Sequence, residues 1–351
     1  MNDGPQLTES NHTTPDQPHS SSHFFTGPNG LRSFWCLILY VLILTIPTAV
    51  LATLADTMRA HAAAAGEKQL ELTPLNSILM EWVEFGIVFF ATWIMSRIED
   101  RSVFDYGLAR TTRRGRSLIV GALWGILWLS VLVGILVSTG HLVITGVLLT
   151  PLQGLRYGAE WAVMFIGVAF FEEFFFRGYL QFTLARTFAG AVKWIAPSNR
   201  YARPIGFWAA ALVISFGFGF AHRSNPGESP IGMLCAGAAG LMFVLVLWRT
   251  GSLWWAIGLH AAWDWGQSFL YGVADSGGIS VHHLLSSHPA GSPLLSGGLT
   301  GPEGSVFVLP VMLCITLVIV FTLPKRPTPF DAEPEVESKE MVPAAVNSAH
   351  G

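Results

Sequence analysis

Eight long apolar segments dominate this chain: Phe34–Ala55, Ile78–Met95, Leu118–Val137, Trp161–Tyr179, Phe207–Ala221, Ile231–Trp248, Leu253–Leu270 and Val306–Leu323. Each approaches the roughly 20 residues that an α-helix needs to cross the hydrocarbon core of a bilayer. Over 351 residues, 51% are hydrophobic and 12% are charged. Soluble domains carry about 25% charged residues. The expected fold is therefore an all-α, polytopic bundle of about eight transmembrane helices. The net charge of −3 offers nothing to a phosphate backbone, so a nucleic-acid partner is not expected. Cys36, Cys235 and Cys314 each lie in an apolar run and form no CxxC pair.

Basic residues set an expected orientation. Arg97, Arg101, Arg110, Arg113, Arg114 and Arg116 follow the second segment. Arg186, Lys193, Arg200 and Arg203 follow the fourth, Arg249 the sixth, and Lys325 and Arg326 the eighth. These loops alternate, so they share a side, and the positive-inside rule makes that side cytoplasmic. Both termini are then cytoplasmic. Residues 1–30 read as a polar, disordered tail, 31–324 as the bundle and 325–351 as a second cytoplasmic tail. The apolar stretch 141–151 is expected to extend the third helix or to lie at the interface. Residues 182–196 are expected to form an interfacial helix. Trp254 and Trp255 fit an aromatic belt. No internal repeat is present, which weighs against an inverted-repeat carrier.

Ionisable side chains inside spans are costly and mark function by default. In segment four, Glu172, Glu173 and Arg177 sit in an apolar run. On an α-helix, Glu173 and Arg177 are about 40° apart and can pair, whereas Glu172 is about 140° from Arg177 and can face another cavity. Glu173 is thus expected to be structural and Glu172 free to act as a base. Segment five ends with Phe218 and His222 on one face. Segment seven places His260 and Asp264 four residues apart, so that the carboxylate can orient the imidazole. Each motif also has a purely structural reading: a salt-bridged helix end, an interfacial histidine, a buried pair joining helices. Together the three motifs make a set that can activate water in a polar cavity between segments four, five and seven. The segment boundaries leave His222 near the outer end of its span, while Glu172 and His260 lie near mid-depth. Glu81 and Glu84 share a face of segment two and could gate entry to the cavity. His282, His283 and His288 lie in a Gly- and Ser-rich loop over 272–305 and form a weaker metal candidate.

The three elements Glu172-Glu173-x-x-x-Arg177, Phe218-x-x-x-His222 and His260-x-x-x-Asp264 resemble, in order and spacing, the motifs of the CPBP family. These are the CAAX protease and bacteriocin-processing membrane proteins, also called Abi. The resemblance covers roughly residues 155–275. It implies an intramembrane endopeptidase acting on a membrane-associated peptide or protein, including prenylated CAAX-type substrates, in a bacterial inner membrane. Carried over by position, Glu172 and His222 would activate the water, and His260 and Asp264 would complete the site and stabilise the oxyanion. Glu173 and Arg177 would support the first helix. Family members are described both as zinc metalloproteases, for which Glu172, His222 and His260 are the candidate ligands, and as glutamate-dependent enzymes. The alternatives are a non-catalytic membrane scaffold or bacteriocin-immunity protein that keeps the family fold, and a proton-linked carrier.

Overall fold

A computed structural model describes residues 26–27, 30–64 and 73–326. The tails expected over 1–30 and 325–351 lie almost wholly outside these residues. Every apolar segment falls on a helix. The helices are α1 (Ser33–Ala64), α2 (Pro74–Ile98), α3 (Arg114–Ser138), α4 (Pro151–Glu172), α5 (Gln181–Ile195), α6 (Ala202–Ala221), α7 (Pro230–Thr250), α8 (Trp254–Trp265) and α9 (Val308–Thr322). Their starts follow ordinary capping chemistry. Thr73, Thr150 and Ser229 accept backbone N–H bonds, each with proline at the first helical position. The end of α7 is closed by Gly251 in the left-handed region, at φ 66°.

Five helices are long and apolar enough to cross a membrane by length and composition: Ser33–Leu54, Pro74–Ile98, Arg114–Ser138, Ala202–Ser224 and Pro230–Thr250. Many large apolar side chains on them face outward, among them Leu42, Ile46, Leu123, Leu212 and Phe216. A soluble protein would bury such a surface; a bilayer covers it. The other three expected spans fall on helices outside this set. Helix α4 carries Arg156, Glu160 and Glu172, α8 has 12 residues and α9 has 15.

One expectation is corrected: the apolar stretch over 141–151 does not extend α3. Leu142–Val147 is strand β1, antiparallel to β2 at Leu285–Pro289. Gly140, at φ 77°, ends the helix, and the β-branched Val143, Ile144, Thr145 and Val147 favour the extended chain. The helix expected over 182–196 is present as most of α5, which continues α4 through a π-helical stretch, Glu173–Leu180, and packs along α6 with Phe182 and Ala185 buried.

The tightest packing joins α3 to α8. A Cβ on Gly121 or Gly125 would overlap the carbonyl oxygen of Trp255 or Leu259, and one on Gly258 that of Leu118. Gly121 and Gly125 form the small-xxx-small spacing that lets membrane helices approach closely. This contact brings α8, and His260 with it, hard against α3. Gly125→Leu is expected to destabilise the bundle by about 1–3 kcal/mol through overpacking. Gly134→Leu, on the same helix but with open space around it, is expected to be near neutral. Thermal unfolding of both variants in detergent checks this.

Candidate active site

Helix α4 ends at Glu172, and the chain then winds more widely from Glu173 to Leu180. Such π-helical turns are rare and concentrate at functional sites. Angles computed for a regular α-helix do not carry through this turn, yet Glu173 and Arg177 still meet. Arg177 Nη1 donates to Glu173 Oε1 at 3.0 Å, and neither side chain is exposed. The guanidinium carbon stands 3.9 Å from the centroid of the Phe218 ring and 5.5 Å from that of Phe243. Gly240 makes room for it, since a Cβ there would come within 2.7 Å of Nη2.

The pair reaches a second helix. His260 Nδ1 lies 2.9 Å from the same Glu173 Oε1. A carboxylate that already accepts from Arg177 can only accept again, so Nδ1 carries the proton. That fixes the ring, which stacks on Phe243 with a centroid distance of 5.3 Å and an interplanar angle of 19°. Nε2 is then 3.3 Å from Asp264 Oδ2 and 3.6 Å from Glu172 Oε2. The third element is His222, at the end of α6. Its Nδ1 is 2.8 Å from the Phe218 carbonyl oxygen, and its ring packs edge-on against Phe218 with centroids 4.7 Å apart. A carbonyl only accepts, so Nδ1 donates and Nε2 of the neutral ring is left as an acceptor.

Glu172, His222, His260 and Asp264 line one cavity of about 250 Å³. Glu173 and Arg177 stand behind it, fully buried. The depth mismatch expected for His222 disappears because the cavity runs to the end of α6 and takes in the loops beyond. Those loops add Glu228, Asp275, Ser276, Thr300 and Glu303 to the lining. The sequence reading missed all five. Its one available signal was that Asp275 and Glu303 are the only acids between 272 and 305.

The remaining candidates stand elsewhere. Glu84 lines a separate groove with Asp56 and Phe171, and the Glu81 side chain packs beside Gly167. Neither is among the residues lining the site cavity, yet both lie within electrostatic reach of Glu172, and Glu81 also of Asp264. His282 stacks on Tyr157, His283 bonds the Ser280 carbonyl, and His288 lies on β2. Among the described residues, no three His, Cys, Asp or Glu side chains come together as a ligand set for a metal ion. Glu172, His222 and His260 share the lining of the cavity and stay the candidate zinc ligands; the reaction proposed for this site uses the side chains themselves.

Residues 155–266, about a third of the chain, match a family model described as type II CAAX prenyl endopeptidase Rce1-like. The matched stretch holds all seven residues named in the three motifs. This stretch is thus similar to the CAAX protease family that the three motifs resemble. Comparisons with curated proteins and with solved structures gave no match.

Two predictions follow from this geometry. Removing one member of a buried ion pair strands the other charge and costs about 3–5 kcal/mol. Arg177→Met is expected to lose that much stability in detergent unfolding, and adding Glu173→Gln to recover most of it. The second concerns pH. Burial pushes the carboxyls of Asp275 and Glu303 above their ordinary range. The neighbouring Asp264 and Glu303 push Asp275 the same way, while bonds from the Ser276 N–H and hydroxyl pull Glu303 back. A raised carboxyl stabilises the fold below its unfolded pKa of about 4, and that contribution is lost as pH rises through the raised value. The unfolding temperature should therefore fall as pH climbs above the ordinary carboxylate range, and Glu303→Gln should flatten the slope. An unchanged slope in the variant would contradict the assignment.

Proposed function

We propose that this protein is an intramembrane endopeptidase. It hydrolyses a peptide bond of a membrane-associated substrate, with a prenylated CAAX-type protein as the favoured class, by means of water activated by Glu172 and His222. The observation that carries this reading is the cavity itself. One carboxylate, one imidazole with a free acceptor nitrogen, and a second imidazole fixed by a buried ion pair line a single space.

The residues divide the work as follows. Water lies between Glu172 and His222. Its oxygen attacks the carbonyl carbon while its proton passes to the Glu172 carboxylate, and His222 Nε2 accepts its second hydrogen bond and orients it. The oxyanion forms towards His260, whose Nε2 faces the cavity when Nδ1 is held by Glu173. In the protonated ring Nε2–H donates to that oxygen, with Asp264 steadying the charge. The C–N bond breaks as Glu172 returns the proton to the leaving amine. Glu173 and Arg177 touch no reacting atom; they set the ring of His260. The alternating basic loops support an orientation with both termini cytoplasmic, and the proposed location is a bacterial plasma membrane.

The test is cleavage by purified protein in detergent, with a pool of membrane peptides and prenylated CAAX-type peptides, with and without a chelator. Glu172→Gln and His222→Ala are each expected to lower the rate by about 10²–10⁴-fold, with folding unchanged. The chelator lane is expected to match the untreated enzyme. Equal cleavage by wild type and Glu172→Gln would overturn the reading, and loss of activity with chelator would replace the water-activation step.

A further inference from the structure

The residues that hold the two site helices in register lie outside the matched domain, in the loop between α2 and α3. Glu99 caps the C-terminus of α2, and its side chain is 3% exposed. Its Oε1 accepts from the Tyr179 hydroxyl at 2.8 Å, and its Oε2 pairs with Arg186. Tyr179 belongs to the same π-helical turn that begins with Glu173. The ring of Tyr106 lies 5.1 Å from that of Tyr179 and 5.0 Å from that of Phe182. The backbone of Tyr106 closes on the turn as well, since a Cβ at Gly178 would stand 2.8 Å from its carbonyl oxygen.

A few residues on, the same loop takes hold of α8. The Gly107 carbonyl accepts from the N–H of Leu253 at 2.8 Å, and the Ala109 carbonyl accepts from Trp254 Nε1 at 3.0 Å. Leu253 and Trp254 stand at the start of the helix that carries His260. A single segment, Glu99 to Ala109, is thus bonded at one end to the turn bearing Glu173 and at the other to the helix bearing His260. The Glu173–His260 contact at 2.9 Å and the 3.6 Å approach of His260 to Glu172 lie between the two elements so joined.

We infer that residues Glu99–Ala109 form a positioning strap, with Glu99 its key side chain, that sets the spacing of the α4 carboxylates to His260 from outside the family domain. The inference rests on the function proposed above for that spacing. Glu99 is a positioning residue and touches no reacting atom. A displacement near 1 Å far from the chemistry can cost about 100-fold in rate, whereas substrate binding in the cavity does not involve the strap.

The experiment uses the full chain in detergent. Glu99→Gln, Tyr179→Phe and the double variant are compared with wild type and with Arg156→Gln, which breaks an exposed ion pair on α4. Three quantities are read: kcat and KM on a cleaved peptide, the unfolding temperature, and the rate at which diethyl pyrocarbonate modifies His260, followed by mass spectrometry of its peptide. The expected result is a kcat lower by about 10–100-fold with KM within about two-fold. Modification of His260 should be faster by about three-fold or more as the ring is loosened. The double variant should lose no more than the worse single one, because the two groups form one contact. Arg156→Gln should match wild type. If Glu99→Gln fails to fold, Tyr179→Phe carries the same test with one hydrogen bond removed. Wild-type kcat together with unchanged His260 modification would overturn the strap. If wild type cleaves nothing, the proposed function fails, and the modification rates still decide the strap by themselves.

Discussion

A buried charge pair organises the centre of this bundle. Two ionised groups without exposure to water are tolerated only when paired; Glu173 and Arg177 share one bond, Nη1 to Oε1, inside an aromatic box around the guanidinium, while Glu173 Oε2 and Arg177 Nε and Nη2 make no hydrogen bond to the described residues. The same carboxylate oxygen also fixes His260. The pair therefore does more than neutralise itself. It links the α4 turn to α8, assigns the proton on one ring nitrogen, and aims the other at the cavity. Burial of Glu173 against exposure of Glu172 to that cavity separates two adjacent and chemically identical side chains into a structural group and a reactive one.

Much of this was legible in the amino-acid order. Each apolar segment lies on a helix, because the bilayer length requirement leaves few alternatives for such runs. The four-residue spacings of Glu173–Arg177, Phe218–His222 and His260–Asp264 all close as contacts, because helical neighbours meet whatever surrounds them. What stayed hidden depends on distant partners. The strand pair joining Leu142–Val147 to Leu285–Pro289 brings together residues 138 to 147 positions apart, and neither strand alternates clearly enough to show its pairing. The π-helical turn has no periodic signature, and the Tyr106 backbone that Gly178 lies against is about 70 positions away. Glu228, Asp275 and Glu303 become part of the site only because loops far apart in sequence fold over the same opening.

The close approach of α3 and α8 through Gly121, Gly125 and Gly258 belongs with these hidden constraints. Backbone contact of this kind gives a membrane bundle a rigid spacing that side-chain packing against lipid cannot supply. It holds α8 from one side while the Glu99–Ala109 segment holds its start from another. The matched domain ends at residue 266, yet its geometry is maintained by α3 and the strap before it, and its cavity is completed by the loop after it. The site is thus a property of the whole bundle, with the three motifs as its chemical centre.

The central claim is that water attacks the peptide carbonyl directly, with Glu172 carrying only the proton. Single-turnover cleavage in ¹⁸O-labelled water tests this most directly, followed by mass measurement of both the product carboxylate and the enzyme peptide that bears Glu172. The account predicts one labelled oxygen in the product and none in Glu172. Label in the Glu172 side chain, or a first-turnover product free of label, would show that the carboxylate attacks the substrate covalently and would contradict it.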